Sequence, residues 1–237
     1  MSLASFAQEH SGWMRRQSLD LLTYAQRRRL YHYVVDRFGR VHRIVEESDV
    51  ADHAGHSLWA DSEAVHVNLN ASFLGVAFEA RTWGETNADL LSPAQLHAGR
   101  VLTDLLRSKY RIAPENCVTH AQVSVNPFNS HLGFHSDWAR GFPFASLGLP
   151  DNYLQPLPSV SLFGFSYEPA FFEAAGPSLR AALLRAAAEV ERQATARNLT
   201  TARWRAALRQ RYRETAAGAA IERVALEALA RLEVYQP

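Results

Sequence analysis

The stretch LYHYVVDRFGRVHRIV, residues 30–45, constrains the fold more than any other part of the chain. Tyrosines and valines alternate with other residues on both sides of an Asp-Arg-Phe-Gly-Arg turn signal, which is the pattern of a β-hairpin. A lone hairpin is marginal in water, so other elements must cover it. SFLGVAFEA, 72–80, is mostly apolar with Gly75 inside and reads as a buried strand. SPAQLHAGRVLTDLLRSKY, 92–110, reads as a helix capped by Ser92, with Pro93 in its first turn. Its expected apolar face is Leu96, Val101, Leu102, Leu105 and Leu106. A short helix is expected over 14–29 with Leu19, Leu22 and Tyr24 inward. Residues 49–66 read as a loop, and CVTHAQV, 117–123, as a short strand. The sum is an α/β fold, a mixed central β-sheet flanked by helices.

The character changes after Trp138. Residues 139–177 are rich in Pro, Gly and Phe, and 178–197 and 200–232 are Ala, Leu and Arg rich and strongly helical. This divides the chain into a domain over 1–144, a connecting segment over 145–175 and a C-terminal α-helical appendage over 176–237. Leu179, Leu183, Ala186, Ala187, Val190 and Ala194 form one apolar stripe, and Ile221, Val224, Ala225, Ala228, Leu229 and Leu232 another. Such stripes must bury against something. The RNLT and TAAGAA segments are the expected connections, and the Arg-rich side faces solvent or an acidic protein partner.

Composition removes several function classes. With 237 residues, 47% apolar and 21% charged, the chain is globular. A net charge of +1 gives no electrostatic case for nucleic acid or an anionic membrane. Cys117 is the only cysteine, which excludes a disulfide framework and a multi-cysteine zinc site. Lys109 is the only lysine, so chemistry needing that side chain has almost no candidate. No apolar run approaches a transmembrane helix and the first residues lack a signal-peptide pattern. Synthesis in the cytoplasm is the expectation, with release to a cell wall by another route. The remaining conspicuous feature is THAQVSVNPFNSHLGFHSDW, 119–138, with three histidines, an aspartate and a tryptophan.

Four segments, in order, resemble the type 2 N-acetylmuramoyl-L-alanine amidase family, which includes the peptidoglycan recognition proteins. YHYVVDRFGRVHRIV resembles the family's Tyr-His hairpin, and DHAGHS its His-Ala-Gly loop. NASFLGVAFEA resembles its Asn-x-x-x-Ile-Gly-Ile strand, and THAQV…HLGFHSDW its last ligand-bearing segment. The likeness covers roughly residues 10–140. It implies one catalytic zinc ion in a groove and muropeptides, the fragments of peptidoglycan, as substrate or ligand. The implied zinc ligands are His10, His120 and His131, with His135 able to replace His131 because one loop can present either. The implied catalytic groups are Tyr31 and Asn129 for the oxyanion and Glu79 for proton movement. His53, Asn70 and Trp138 would line the substrate groove, and Asp137 would orient a ligand. The sequence departs from the family at three places: His131 stands for an acidic or Cys ligand, Asn129 for a lysine and Ala77 for a glutamate. The departures leave two rival readings open: a muropeptide-binding module without activity, and a sensor working through a protein partner.

Overall fold

The computed structural model describes residues 3–80 and 91–233, with side chains described over 12–80 and 91–218. It opens with α1, Leu3–Arg28, which is longer than the helix expected at 14–29. The face that α1 buries is Ser18, Leu22 and Ala25, spaced i, i+4, i+7. Leu19 and Tyr24, expected inward, are exposed. The helix also takes in His10, read from the resemblance as a zinc ligand.

The hairpin follows as β1, Tyr33–Val35, and β2, Val41–Arg43. Asp36 fixes its turn: Oδ1 accepts the amides of Phe38 and Arg40 at 2.9 and 3.0 Å, and Oδ2 accepts Arg40 Nε at 2.6 Å. Gly39 has φ +79°, and a Cβ there would meet the Ala94 carbonyl oxygen at 2.6 Å, so both conformation and space select glycine. Residues 49–66 are more ordered than expected. They run into a second hairpin, β3 (Leu58–Ala60) with β4 (Val65–Val67), whose turn is held by Asp61 accepting the amides of Glu63 and Ala64.

Next comes β5, Val76–Phe78, parallel to β1, so the main sheet is mixed with order β2-β1-β5. Val34 and Val35 at its centre are buried. On one side of the sheet α2, Pro93–Tyr110, packs Leu102 and Leu106 beside Tyr33 and Val35. On the other, Leu22 and Ala25 of α1 pack with Val34 and Ala77. Val101 and Leu105, expected inward, are exposed; Gln95, Gly99, Leu102 and Leu106 are the buried positions of α2. Ser92 caps α2 in a capping box with Gln95. Ser92→Ala is expected to cost about 1 kcal/mol, read as a lower urea midpoint with an unchanged slope.

The segment expected as a strand at 117–123 is instead α3, His120–Val123, a single helical turn. Gln122 Oε1 accepts the Thr119 amide at 3.0 Å, closing the turn's start. β6, His131–Leu132, pairs in parallel with β7, Ser166–Tyr167. Around them lie two short helices, α4 (Pro158–Ser161) and α5 (Pro169–Ala174). α6, Pro177–Ala196, and α7, Thr201–Glu233, complete the chain. α7 is continuous through the TAAGAA stretch expected as a connection. Among the described residues no helix is long and apolar enough to cross a membrane.

The largest core cluster joins β3, α3 and β6 to the C-terminal helices, beside the two smaller clusters that cover the main sheet. Leu58, Ala121, Val125 and Leu132 pack in one cluster with Leu147, Leu157, Phe163, Phe165, Phe171, Leu179 and Leu183. The expected division at 144/145 therefore falls inside a continuous core. The α6 face that fills it is Leu179, Ala182, Leu183, Ala186, Val190 and Ala194, which matches the expected stripe except that Ala182 replaces Ala187.

Candidate metal centre

α3 and the loop after β6 bring His120, His135 and Asp137 together. One donor atom from each lies within 4.8 Å of the other two. His120 Nδ1 stands 3.0 Å from Asp137 Oδ1 and 3.2 Å from Oδ2. The two imidazoles stack, with centroids 4.6 Å apart and planes 24° from parallel. Phe134 meets the His135 ring edge-on at 4.9 Å. Burial works against the charged form of Asp137, yet the hydrogen bond and charge of His120 hold its pKa below the ordinary carboxylate value. Burial, followed by the neighbouring His120, lowers the pKa of His135. His120 Nε2 is buried without a hydrogen-bond partner. A ring whose Nδ1 proton is held by a carboxylate keeps a lone pair on Nε2, and an unpaired buried nitrogen is costly. Two imidazoles and a carboxylate are also a donor set that zinc accepts, so these residues fit the implied metal.

The other expected site residues have separate places. The side chain of His10 lies outside the described residues. His131 is not a member of the cluster: its Nδ1 is 3.5 Å from Glu168. Asn129 donates to Glu168 at 2.8 Å and accepts the His131 amide at 2.9 Å. Glu79 shares the α1 side of β5 with Ala77, as period-2 spacing expects, but its carboxylate is taken. It receives the Arg37 amide, the Arg37 guanidinium and the Ser18 hydroxyl, and its side chain is 5% exposed. Lys109 donates to Glu47, so the single lysine is committed as well.

Tyr31 sits at φ +59°, a backbone position that costs a non-glycine residue energy. Burial raises its phenol pKa, and the charge of Asp137 adds to the rise. Asn70 Oδ1 accepts the amides of His53 and Ala54, at 3.0 and 2.7 Å, and so pins the His-Ala-Gly loop. Trp138, at φ +59°, packs edge-on against Phe142 and gives its carbonyl to the Tyr153 hydroxyl.

Hydrogen bonds fix the rings of two further histidines, His32 buried and His53 half-buried. His32 Nδ1 accepts the Gly75 amide at 2.9 Å while Nε2 donates to the Asp49 carbonyl at 3.0 Å. His53 Nε2 donates to the Phe73 carbonyl at 2.9 Å, and burial lowers its pKa from 6.5 to about 4. The unfolded chain therefore takes up a proton that the folded chain refuses as pH falls from 6.5 towards 4. Stability contributed by neutral His53 should fall by about 3 kcal/mol across that window. Urea unfolding of wild type and His53→Gln at both ends of the window checks this. The pH-dependent difference between the two proteins should shrink on acidification.

The family model for N-acetylmuramoyl-L-alanine amidase matches residues 5–137, more than half of the chain and including all three residues of the cluster. The chain belongs to that amidase family. A stretch of 89 residues is 33% identical to the amidase AmiD of Escherichia coli K12, covering 36% of this chain and 31% of AmiD. The match thus spans about a third of that relative's length. Among solved structures, the chain is similar to E. coli AmiD in complex with anhydro-N-acetylmuramic acid-L-Ala-D-γ-Glu-L-Lys, at 25% identity and a TM-score of 0.42. That likeness covers 66% of this chain and 68% of AmiD. It is also similar to AmpDH3 of Pseudomonas aeruginosa in complex with anhydromuramic pentapeptide, at 22% identity and a TM-score of 0.42, over 66% and 71% of the two chains. Within this amidase-family chain, the residue that sequence reasoning placed second is His135. The spacing His135-x-Asp137 beside His120 was the available signal, but a loop sequence does not say which histidine meets His120 and Asp137.

Proposed function

We propose that the chain is a zinc-dependent amidase acting on the bond between N-acetylmuramic acid and L-alanine in peptidoglycan fragments, with His120, His135 and Asp137 as metal donors. The observation that carries the reading is the buried, partnerless Nε2 of His120 inside a His-His-Asp cluster. Zinc would supply Lewis-acid activation of the amide carbonyl and of water. The chain's own residues do the rest. Asp137 accepts the Nδ1 proton of His120 in the metal-free chain, and as a metal donor it would exchange that hydrogen bond for the ion. Tyr31, whose phenol pKa burial raises, would donate a hydrogen bond to developing negative charge. Muropeptides are the substrate class bound by the solved relatives, and are the proposed ligand here.

A second reading, a muropeptide-binding module without turnover, draws on specific observations. Glu79 is locked to Arg37 and Ser18, and Ala77 packs under α1. No carboxylate on β5 is thereby free as a general base. Mass spectrometry of a muramyl tripeptide incubated with the zinc-supplemented chain separates the two. Release of free peptide with Tyr31→Phe slowed supports the amidase. Binding by calorimetry with no released peptide supports the module, and the absence of both binding and release counts against both readings.

A further inference from the structure

The cluster-bearing segment is held on both flanks by residues beyond the family match, which ends at 137. On its N-terminal flank, β6 pairs with β7 and the Glu168 amide donates to the Leu132 carbonyl at 3.0 Å. The Glu168 carboxylate receives Asn129 at 2.8 Å and Asn126 at 3.2 Å, clamping the turn that leads into β6. Phe171 fills the space above Gly133, where φ is +90° and a Cβ would meet the ring at 2.1 Å. On the C-terminal flank the Tyr153 hydroxyl donates to the Trp138 carbonyl at 2.8 Å and accepts the Phe142 amide at 3.0 Å. The Gly176 amide donates to the Ala139 carbonyl at 3.0 Å. Between these anchors lie Phe134, His135, Ser136 and Asp137. Within the matched stretch Ser124 accepts the amides of Gly133 and His135 through its carbonyl and hydroxyl, the Asn126 amide donates to the His131 carbonyl, and Asp137 meets His120.

We propose that residues 153–176 are the positioning element of this metal centre, with Tyr153 and Glu168 as positioning residues that hold His135 and Asp137 in register with His120. The proposal rests on the reading above only in taking those three side chains as donors. Two anchors on opposite flanks restrict a short loop far more than either does, because a loop tied at one end still swings. A site built on a loop needs such support from its surroundings to keep its donors in place.

Hydrogen exchange of the metal-free full-length chain tests the proposal without relying on activity, followed by zinc affinity from chelator competition. The variants are Tyr153→Phe, Glu168→Ala and Glu168→Gln. Tyr153→Phe and Glu168→Ala should raise exchange at Gly133, His135 and Ala139 about tenfold or more while α2 amides stay protected. Glu168→Gln, which keeps an acceptor for both asparagines, should restore most of the protection. Zinc affinity should fall about 10-fold or more in the first two variants and recover in the third. Unchanged exchange over 130–139, or equal loss in α2, would overturn the proposal. If the wild-type chain takes up no zinc, the reading of the function fails, and the exchange pattern still decides whether the brace exists.

Discussion

His120→Ala is expected to lower zinc affinity by more than about 100-fold, since losing only an outer partner of a metal ligand already costs 10–100-fold. The residue combines the features that make the loss large. Its Nδ1 is held by Asp137, its ring is stacked on His135, and its Nε2 has no partner of its own. It begins α3, a helical turn whose residues Ala121 and Val123 are buried, so its backbone is fixed by the core. Its side chain is partly exposed, and the alanine variant should therefore stay folded. Muramyl-peptide cleavage should fall in parallel, and the urea midpoint should move little. A variant that keeps full zinc affinity would mean that the metal, if bound, sits elsewhere.

The second large effect is on stability. Leu183→Ala, in the middle of α6, should cost about 2–5 kcal/mol because the side chain is fully buried in a packed core. For a chain of this size that is roughly 5–20 °C in Tm. Such a loss separates a helical appendage, which could detach and leave the sheet intact, from a helix that completes the core. The cluster joining Leu58, Ala121, Val125 and Leu132 to Phe163, Phe165, Phe171 and Leu183 supports the second description. A fragment of residues 1–144 should accordingly lack a cooperative unfolding transition. A fragment with the sharp transition of the whole chain would instead support an independent N-terminal domain.

Periodic elements were legible in the sequence. The hairpin, α2, α6 and α7 follow from spacing, caps and turn residues that act locally. The failures share a physical cause, which is competition from distant partners or from short-range hydrogen bonding. CVTHAQV has strand-like residues, but Thr119 and Gln122 stand three apart and close a helical turn, a signal present in the sequence. Glu79 was placed on the correct side of β5, yet Arg37 from the hairpin turn claims its carboxylate. His131 turns to Glu168, a residue brought beside it by the β6–β7 pairing. That left His135 for the cluster. Of the α1 face only Leu22 was read correctly, because a buried serine, Ser18, hydrogen-bonded to Glu79, stands where Leu19 was expected.

The ligand set itself is the central claim, and zinc stoichiometry by native mass spectrometry on two full-length variants tests it most directly. With His120, His135 and Asp137 as donors, His131→Ala should retain one zinc ion per chain and His135→Ala should lose it. Retention by His135→Ala together with loss by His131→Ala would contradict the account and return the site to the ligands first read from the sequence.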